Sequence, residues 1–83
     1  MHKDTKFFFC KTMHRGYYRV LCQRPGESRV QIGHVERRKH LWGATSSPHG
    51  AVVAVREKTR QAATEALYYQ RFGHGEDIRG RVV

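Results

Sequence analysis

The stretch YYRVLCQRPGESRVQIGHVE, residues 17–36, decides the fold of this chain. Aromatic, β-branched and alternately polar residues fill its two halves, 17–23 and 29–36, as strands prefer. Pro25 and Gly26 stand between the halves and mark a turn. The stretch therefore predicts two neighbouring antiparallel strands joined by a short connection.

The alternation of side chains assigns each residue of these strands to a face of the sheet. In the first strand it places an apolar set on one face, made of Tyr18, Val20 and Cys22. The second strand adds Val30 and Ile32 to that face, whereas Val35 falls out of phase. A β-bulge at Gly33 would return Val35 to the apolar side.

Similar runs separated by turn residues continue on both sides of this stretch. Strands are predicted at 41–45 and 51–56, with a short extra strand at 7–10. The sequence therefore predicts an α+β fold, with an antiparallel sheet of three to four strands, to which the short N-terminal strand can be added, and one C-terminal helix on one face.

The helix is predicted to follow Thr59, a good N-cap, and to end before Gly73. The i, i+3, i+4 spacing predicts that its inner face consists of Ala62, Ala63, Ala66, Leu67 and Gln70. The outward side is then predicted to hold Arg60, Gln61, Thr64, Glu65, Tyr68 and Arg71. Residues 1–73 form one predicted domain, and 74–83 a predicted flexible tail.

The charge of the chain favours a polyanionic partner. Sixteen Lys and Arg residues stand against seven Asp and Glu residues, a formal charge of +9, and ten of the basic residues fall within 1–42. Arg outnumbers Lys by eleven to five, and Arg binds phosphate and guanine bidentately. A GC-rich genome would also raise the Arg content. Nucleic acid is the predicted partner, ahead of a membrane or an acidic protein.

The sheet face opposite the helix is the predicted binding surface, because no other predicted element covers it. Arg there can bind guanine, Gln can bind adenine, and a basic hairpin tip can contact phosphates. The residues predicted to bind DNA are Arg19, Arg29 and Gln31 on the face, with Arg37, Arg38 and Lys39 at the tip. The predicted function is that of a small accessory or regulatory DNA-binding protein.

Two resemblances add to this interpretation. Trp42-Gly43-Ala44 in a strand and Thr59–Ala63 opening a helix resemble the arm-binding domains of tyrosine recombinases and the plant ethylene-response-factor domain, over residues 17–72. Both families dock a sheet face in the major groove, which implies the same for this chain. The run Ile32–Arg37, with Trp42, Ala44, Thr59-Arg60 and Ala66-Leu67, also resembles small uncharacterised actinobacterial and phage proteins. That resemblance implies a host range more than an activity, and a phage accessory protein is consistent with it.

The alternative function is a protein-interaction module that binds an acidic host protein. An aromatic cluster near the amino terminus would then supply the interface, namely Phe7, Phe8, Phe9, Tyr17 and Tyr18. A free strand edge offers a second route to a partner or to another copy of the chain.

Catalytic and metal chemistry have little support in the sequence. Cys10 and His14 have ligand-like spacing, and Cys22 and His34 would have to complete a zinc site, yet only one close pair exists. We predict no cofactor and no enzymatic activity. The chain shows neither a signal peptide nor a long apolar segment, which predicts a cytoplasmic protein with reduced thiols and no membrane contact.

Overall fold

Four chain reversals fold the strands into a meander. The computed structural model describes residues 2–47 and 50–73. Each strand pairs antiparallel with the next, in the order β1-β2-β3-β4-β5. The strands are β1 (Lys6–Lys11), β2 (Tyr17–Gln23), β3 (Val30–Arg38), β4 (Leu41–Ser46) and β5 (Val52–Glu57), and they precede α1 (Arg60–Phe72).

The α+β prediction with one C-terminal helix is confirmed, and the sheet has five strands. The N-terminal strand is a full member of the sheet, because all six of its residues pair with β2 from Lys6↔Gln23 to Lys11↔Tyr18. Its inward rings, Phe7 and Phe9, pack against the core. Residues 74–83, with the predicted tail, lie outside the described residues.

The core lies between the sheet and α1. Its buried strand residues are Val20, Cys22, Ile32, Val35 and Ala44. The helix packs on β3, β4 and β5. It also reaches β1, since Phe7 and Tyr68 meet edge to face with ring centroids 6.0 Å apart. In β2, Val20 and Cys22 are buried and Tyr18 packs against the core, which confirms the predicted alternation of this strand.

The predicted bulge in β3 is present at Gly33. Val20 pairs with Gly33 while Leu21 pairs with Gln31, so β3 has one more residue than β2 at this point. The extra residue shifts the phase, and both Ile32 and Val35 are buried. A side chain at position 33 would collide with the carbonyl oxygen of Thr45 and lie 2.7 Å from a methyl carbon of Leu67. Glycine here lets the helix approach the sheet.

The ends of α1 are as predicted. The Thr59 hydroxyl accepts a hydrogen bond from the Ala62 backbone N–H at 3.0 Å, which caps the first turn. Gly73 adopts φ 75° at the other end and donates its N–H to the Tyr69 carbonyl.

The predicted inner face of α1 is confirmed at Ala63 and Leu67, but it was wrong in placing Thr64 and Tyr68 outward and Gln70 inward. The buried helix residues are Ala63, Thr64, Leu67 and Tyr68, whereas Gln70 is exposed. Thr64 tolerates burial because its hydroxyl donates to the Arg60 carbonyl at 2.8 Å. Tyr68 covers more apolar area than any alanine, so the helix turns its ring inward.

Candidate nucleic-acid interface

We call the sheet face that points away from α1 the open face; no helix or strand in residues 2–47 and 50–73 covers it. Alternation from the inward residues of β1 to β3 assigns its side chains. Its basic residues are Lys6, Arg19, Arg29 and Arg38. Glu36 is the one acid among the strand residues that alternate onto this face, and it lies 3.2 Å from the Arg38 guanidinium.

Arg19 lies near the middle of the open face. It is exposed and pairs across the sheet with Cys10 on β1 and His34 on β3. Tyr17 stacks on the His34 ring, with centroids 5.1 Å apart and planes 8° apart. Partial burial, and secondarily the positive charge of Arg19, lower the pKa of His34 below its ordinary value of 6.5. His34 is therefore neutral at pH 7, and the positive charge here belongs to Arg19.

Arg29 and Gln31 are both held in place on the open face. The Arg29 guanidinium lies over the Phe8 ring, 3.7 Å from its centroid. Stacking uses the flat side of the guanidinium, so its in-plane N–H groups keep their outward donor geometry. The Gln31 amide nitrogen donates to the Ser47 hydroxyl at 3.1 Å. The second N–H of this amide and its carbonyl oxygen have no hydrogen-bond partner among the bonds of the described residues, so both can reach a base while Ser47 holds the side chain.

The basic tip differs from the prediction in shape. Strand β3 continues through Arg38, so only Lys39 and His40 form the turn to β4. Arg38 pairs with Leu41 and lies on the open face, whereas Arg37 pairs with Trp42 and lies on the helix side. The predicted tip residues are thus divided between the two sides of the sheet, because β3 ends two residues later than its apolar pattern indicated.

Lys6 is the open-face cation that sequence reasoning missed. It pairs with Gln23 and alternates with the inward Phe7. That alternation was visible in the sequence once β1 was accepted as a full strand.

The aromatic residues of the alternative interface lie mostly against the core. Phe7, Phe9 and Tyr18 are partly buried and pack against the apolar core. Phe8 and Tyr17 lie on the open face, in contact with Arg29 and His34. These contacts leave the cluster without a continuous exposed aromatic patch.

The four residues considered for zinc do not converge. Cys22 is buried beneath α1, whereas Cys10 and His34 alternate onto the open face. No group of three or more His, Cys, Asp or Glu side chains within the described ranges is arranged to hold a metal ion. The helix of the described chain is too short and too polar to cross a membrane.

Fold and site together define a small α+β domain, a five-stranded antiparallel meander with one helix and a basic open face. Comparison with protein families, curated proteins and solved structures finds no match to this chain.

Proposed function

We propose that this protein binds duplex DNA as a small accessory or regulatory factor, with the open face in the major groove. The observation that carries the proposal is the charge of that face: four basic side chains stand on β1 to β3 or next to them, and the one acid is already paired with Arg38. An excess of this kind attracts a polyanion in competition with salt.

The width of the sheet limits which strands enter the groove. Neighbouring strands lie about 4.8 Å apart, so β1 to β3 span about 10 Å. The major groove is about 12 Å wide and accommodates such a width. All five strands would span about 19 Å and would not fit. The proposed DNA-binding strip is therefore β1 to β3, where Lys6, Arg19 and Arg29 lie.

Each predicted contact has a defined role in this proposal. Arg19 and Arg29 bind guanine edges or phosphates from the open face, and Gln31 binds adenine through its second amide N–H and its carbonyl oxygen. Arg38 exchanges Glu36 for a phosphate, and Lys39 contacts the backbone from the turn. Arg37 contacts the backbone on the helix side of the same turn.

The test is fluorescence anisotropy with a labelled random duplex of about 20 base pairs. About five phosphate contacts give a slope of log K against log salt near −4 to −5. Arg19→Gln should weaken binding and reduce the slope by about 1. Arg71→Gln is the matched control, because Arg71 is an exposed arginine on the helix; its guanidinium donates to the Ser47 backbone carbonyl at 3.3 Å.

Two results would reject duplex binding through this face. One is no binding even at low salt. The other is equal losses in the Arg19→Gln and Arg71→Gln variants, which would mean that only the total charge matters.

A protein partner is the second candidate, and exposed valines on β5 favour it. Val52 and Val55 are 69% and 59% exposed on this edge strand. An edge that displays apolar side chains can pair with another strand. Such binding would tolerate salt and weaken on Val52→Lys, whereas DNA binding would depend steeply on salt.

A further inference from the structure

The helix side of the sheet carries a second basic surface, separate from the open face. Three segments meet there: the β1–β2 turn, the end of β3 with the following turn, and the first turn of α1. They border an open cleft of about 440 Å³. We call it the helix-side cleft, and its lining residues are Arg15, Gly16, Tyr18, Arg37, Lys39, Trp42 and Arg60.

The backbone holds the basic groups of the cleft together. The Arg37 N–H donates to the Gly16 carbonyl at 2.8 Å, which ties the β1–β2 turn to β3. The Arg37 guanidinium donates through Nε to the Lys39 carbonyl at 3.2 Å. The Arg60 guanidinium lies 4.1 Å from the centroid of Phe9 and 5.6 Å from that of Tyr18. Arg37 and Arg60 are thus held in place by a carbonyl group and by aromatic rings, none of which neutralises their positive charge.

The cleft has no acid in its lining. Four of its seven residues are cationic, and none of these four forms an ion pair within the described residues. The first turn of α1 contains no acid either, although acids are favoured at helix N-termini, and Arg60 stands there instead. Like charges gathered at the positive end of a helix dipole oppose each other until an anion binds.

Aromatic rings lie beside these cations. Trp42 and Tyr18 are half-buried neighbours in the cleft, with centroids 6.2 Å apart and planes tilted by 32°. A phosphate alone needs no aromatic ring. Basic groups that alternate with aromatic rings are the usual arrangement for an unpaired nucleotide, whose base stacks while its phosphates bind the cations.

We propose that the helix-side cleft binds an unpaired nucleotide of a single nucleic-acid strand. The base stacks on Trp42, and Arg15, Arg37, Lys39 and Arg60 bind the flanking phosphates. The cleft lies on the other side of the sheet from the open face; it shares Arg37 and Lys39 with the proposed duplex contacts, but it does not rest on duplex binding there.

The experiment uses the intrinsic fluorescence of Trp42, which is the one tryptophan of the chain. The full chain is titrated with oligothymidylate of about ten nucleotides at low salt. We expect saturable quenching of Trp42 emission, because stacking of a base on the indole changes its surroundings. Tripolyphosphate, which has charge but no base, should compete only weakly and leave the emission unchanged.

Two arginines of α1 provide a matched pair of variants. Arg60→Gln should weaken oligothymidylate binding by about tenfold, because it removes a phosphate contact. Arg71→Gln should bind like the unaltered chain, since Arg71 lies eleven residues, or about 16 Å, further along the helix. Arg15→Gln, in an exposed turn, repeats the test without altering the helix, and circular dichroism verifies that each variant folds.

Three outcomes would overturn the proposal. Oligothymidylate that binds without changing Trp42 emission binds elsewhere. Equal quenching by tripolyphosphate would reduce the cleft to an anion site without base stacking. Equal losses in the Arg60 and Arg71 variants would show a nonspecific charge effect. Duplex binding by the Arg19→Gln variant is measured separately, so failure of the open-face proposal is recognised independently.

Discussion

Tyr68 is fully buried, yet its hydroxyl has no hydrogen-bond partner among the described residues. The ring itself is well packed, because it meets Phe7, Tyr69 and Phe72 with centroids 4.9–6.0 Å away. A buried hydroxyl without a hydrogen-bond partner destabilises the folded state, whereas burial and packing of the ring stabilise it. Tyr68 therefore combines a stabilising ring with a destabilising polar atom.

Tyr68→Phe should raise the free energy of unfolding by about 1 kcal/mol, because it removes only the unsatisfied hydroxyl. Urea unfolding followed by Trp42 fluorescence measures the change. Tyr68→Leu should instead lower the free energy of unfolding by about 2 kcal/mol, since it removes ring contacts from the core. A loss of stability in the phenylalanine variant would contradict the prediction and indicate that the hydroxyl is hydrogen-bonded in solution.

His34 makes the stability of the domain depend on pH in a defined direction. Because burial and Arg19 lower the pKa of His34, the folded chain resists a proton that the unfolded chain accepts near pH 6.5. The free energy of unfolding should therefore fall as the pH falls from 6.5 towards the lowered pKa, and this contribution should be complete above 6.5. NMR titration of the His34 ring protons measures the pKa directly.

Arg19→Gln separates the two causes. It should raise the pKa of His34 only part of the way to its ordinary value, because burial is the larger cause and remains. A complete return to that value would make Arg19 the main cause. A pKa at or above 6.5 in the unaltered chain would contradict the prediction altogether.

Among the elements, β3 shows both what the sequence predicts and what it does not. The phase break between Ile32 and Val35, with a glycine between them, permits few solutions other than a bulge, and the bulge is present. The length of β3 was not predictable, because Arg37 and Arg38 have no apolar alternation. Pairing with Leu41 and Trp42 extends the strand through them.

The orientation of α1 shows a different limit of sequence reasoning. Ala62, Ala63 and Ala66 match an apolar stripe by type, yet alanines bury little area and fix the rotation of the helix weakly. The ring contacts of Tyr68 across the core exist only after folding, and the local bond from the Thr64 hydroxyl to the Arg60 carbonyl lets Thr64 be buried beside it. Residue type alone could not reveal either contact.

Gly33→Ala should destabilise the protein by about 3 kcal/mol or more, because a β-carbon there collides with the Thr45 carbonyl and crowds Leu67. Helix and sheet would have to separate where they are closest. The control is Gly26→Ala, where φ is +75° but nothing lies within 4 Å. That change should cost only about 1 kcal/mol, through backbone strain. Similar losses in both variants would mean that the close approach of α1 is not required.

For the molecule as a whole, the charge of the chain favours a polyanionic partner but does not predict the arrangement of the cations. Arg19 and Arg29 followed from strand alternation, and they lie on the open face as predicted. The helix-side cleft could not be predicted, since it depends on the Arg37–Gly16 hydrogen bond and on the start of α1 next to Tyr18. Contacts between distant segments bring those cations together.

The two proposed surfaces meet at the β3–β4 turn. Arg38 lies on the open face, Arg37 lies on the helix side, and consecutive Cα atoms are about 3.8 Å apart. A strand that leaves a duplex on the open face can therefore pass over Lys39 into the cleft. Binding of the duplex to the open face then raises the effective concentration of the attached single strand at the helix-side cleft. This increases the overall affinity without any new contact.

A duplex with a single-stranded overhang of about ten nucleotides should therefore bind at least about tenfold more tightly than the same blunt duplex or the free single strand. Anisotropy at one fixed salt concentration measures the three affinities. The decisive quantity is the ratio of overhang to blunt affinity within each variant, because overall charge effects cancel in it. Arg60→Gln should bring this ratio close to one, since the overhang loses its site, whereas Arg71→Gln should preserve it. A ratio near one in the unaltered chain, or a high ratio that survives Arg60→Gln, would mean that the open face and the helix-side cleft do not bind one nucleic-acid molecule together.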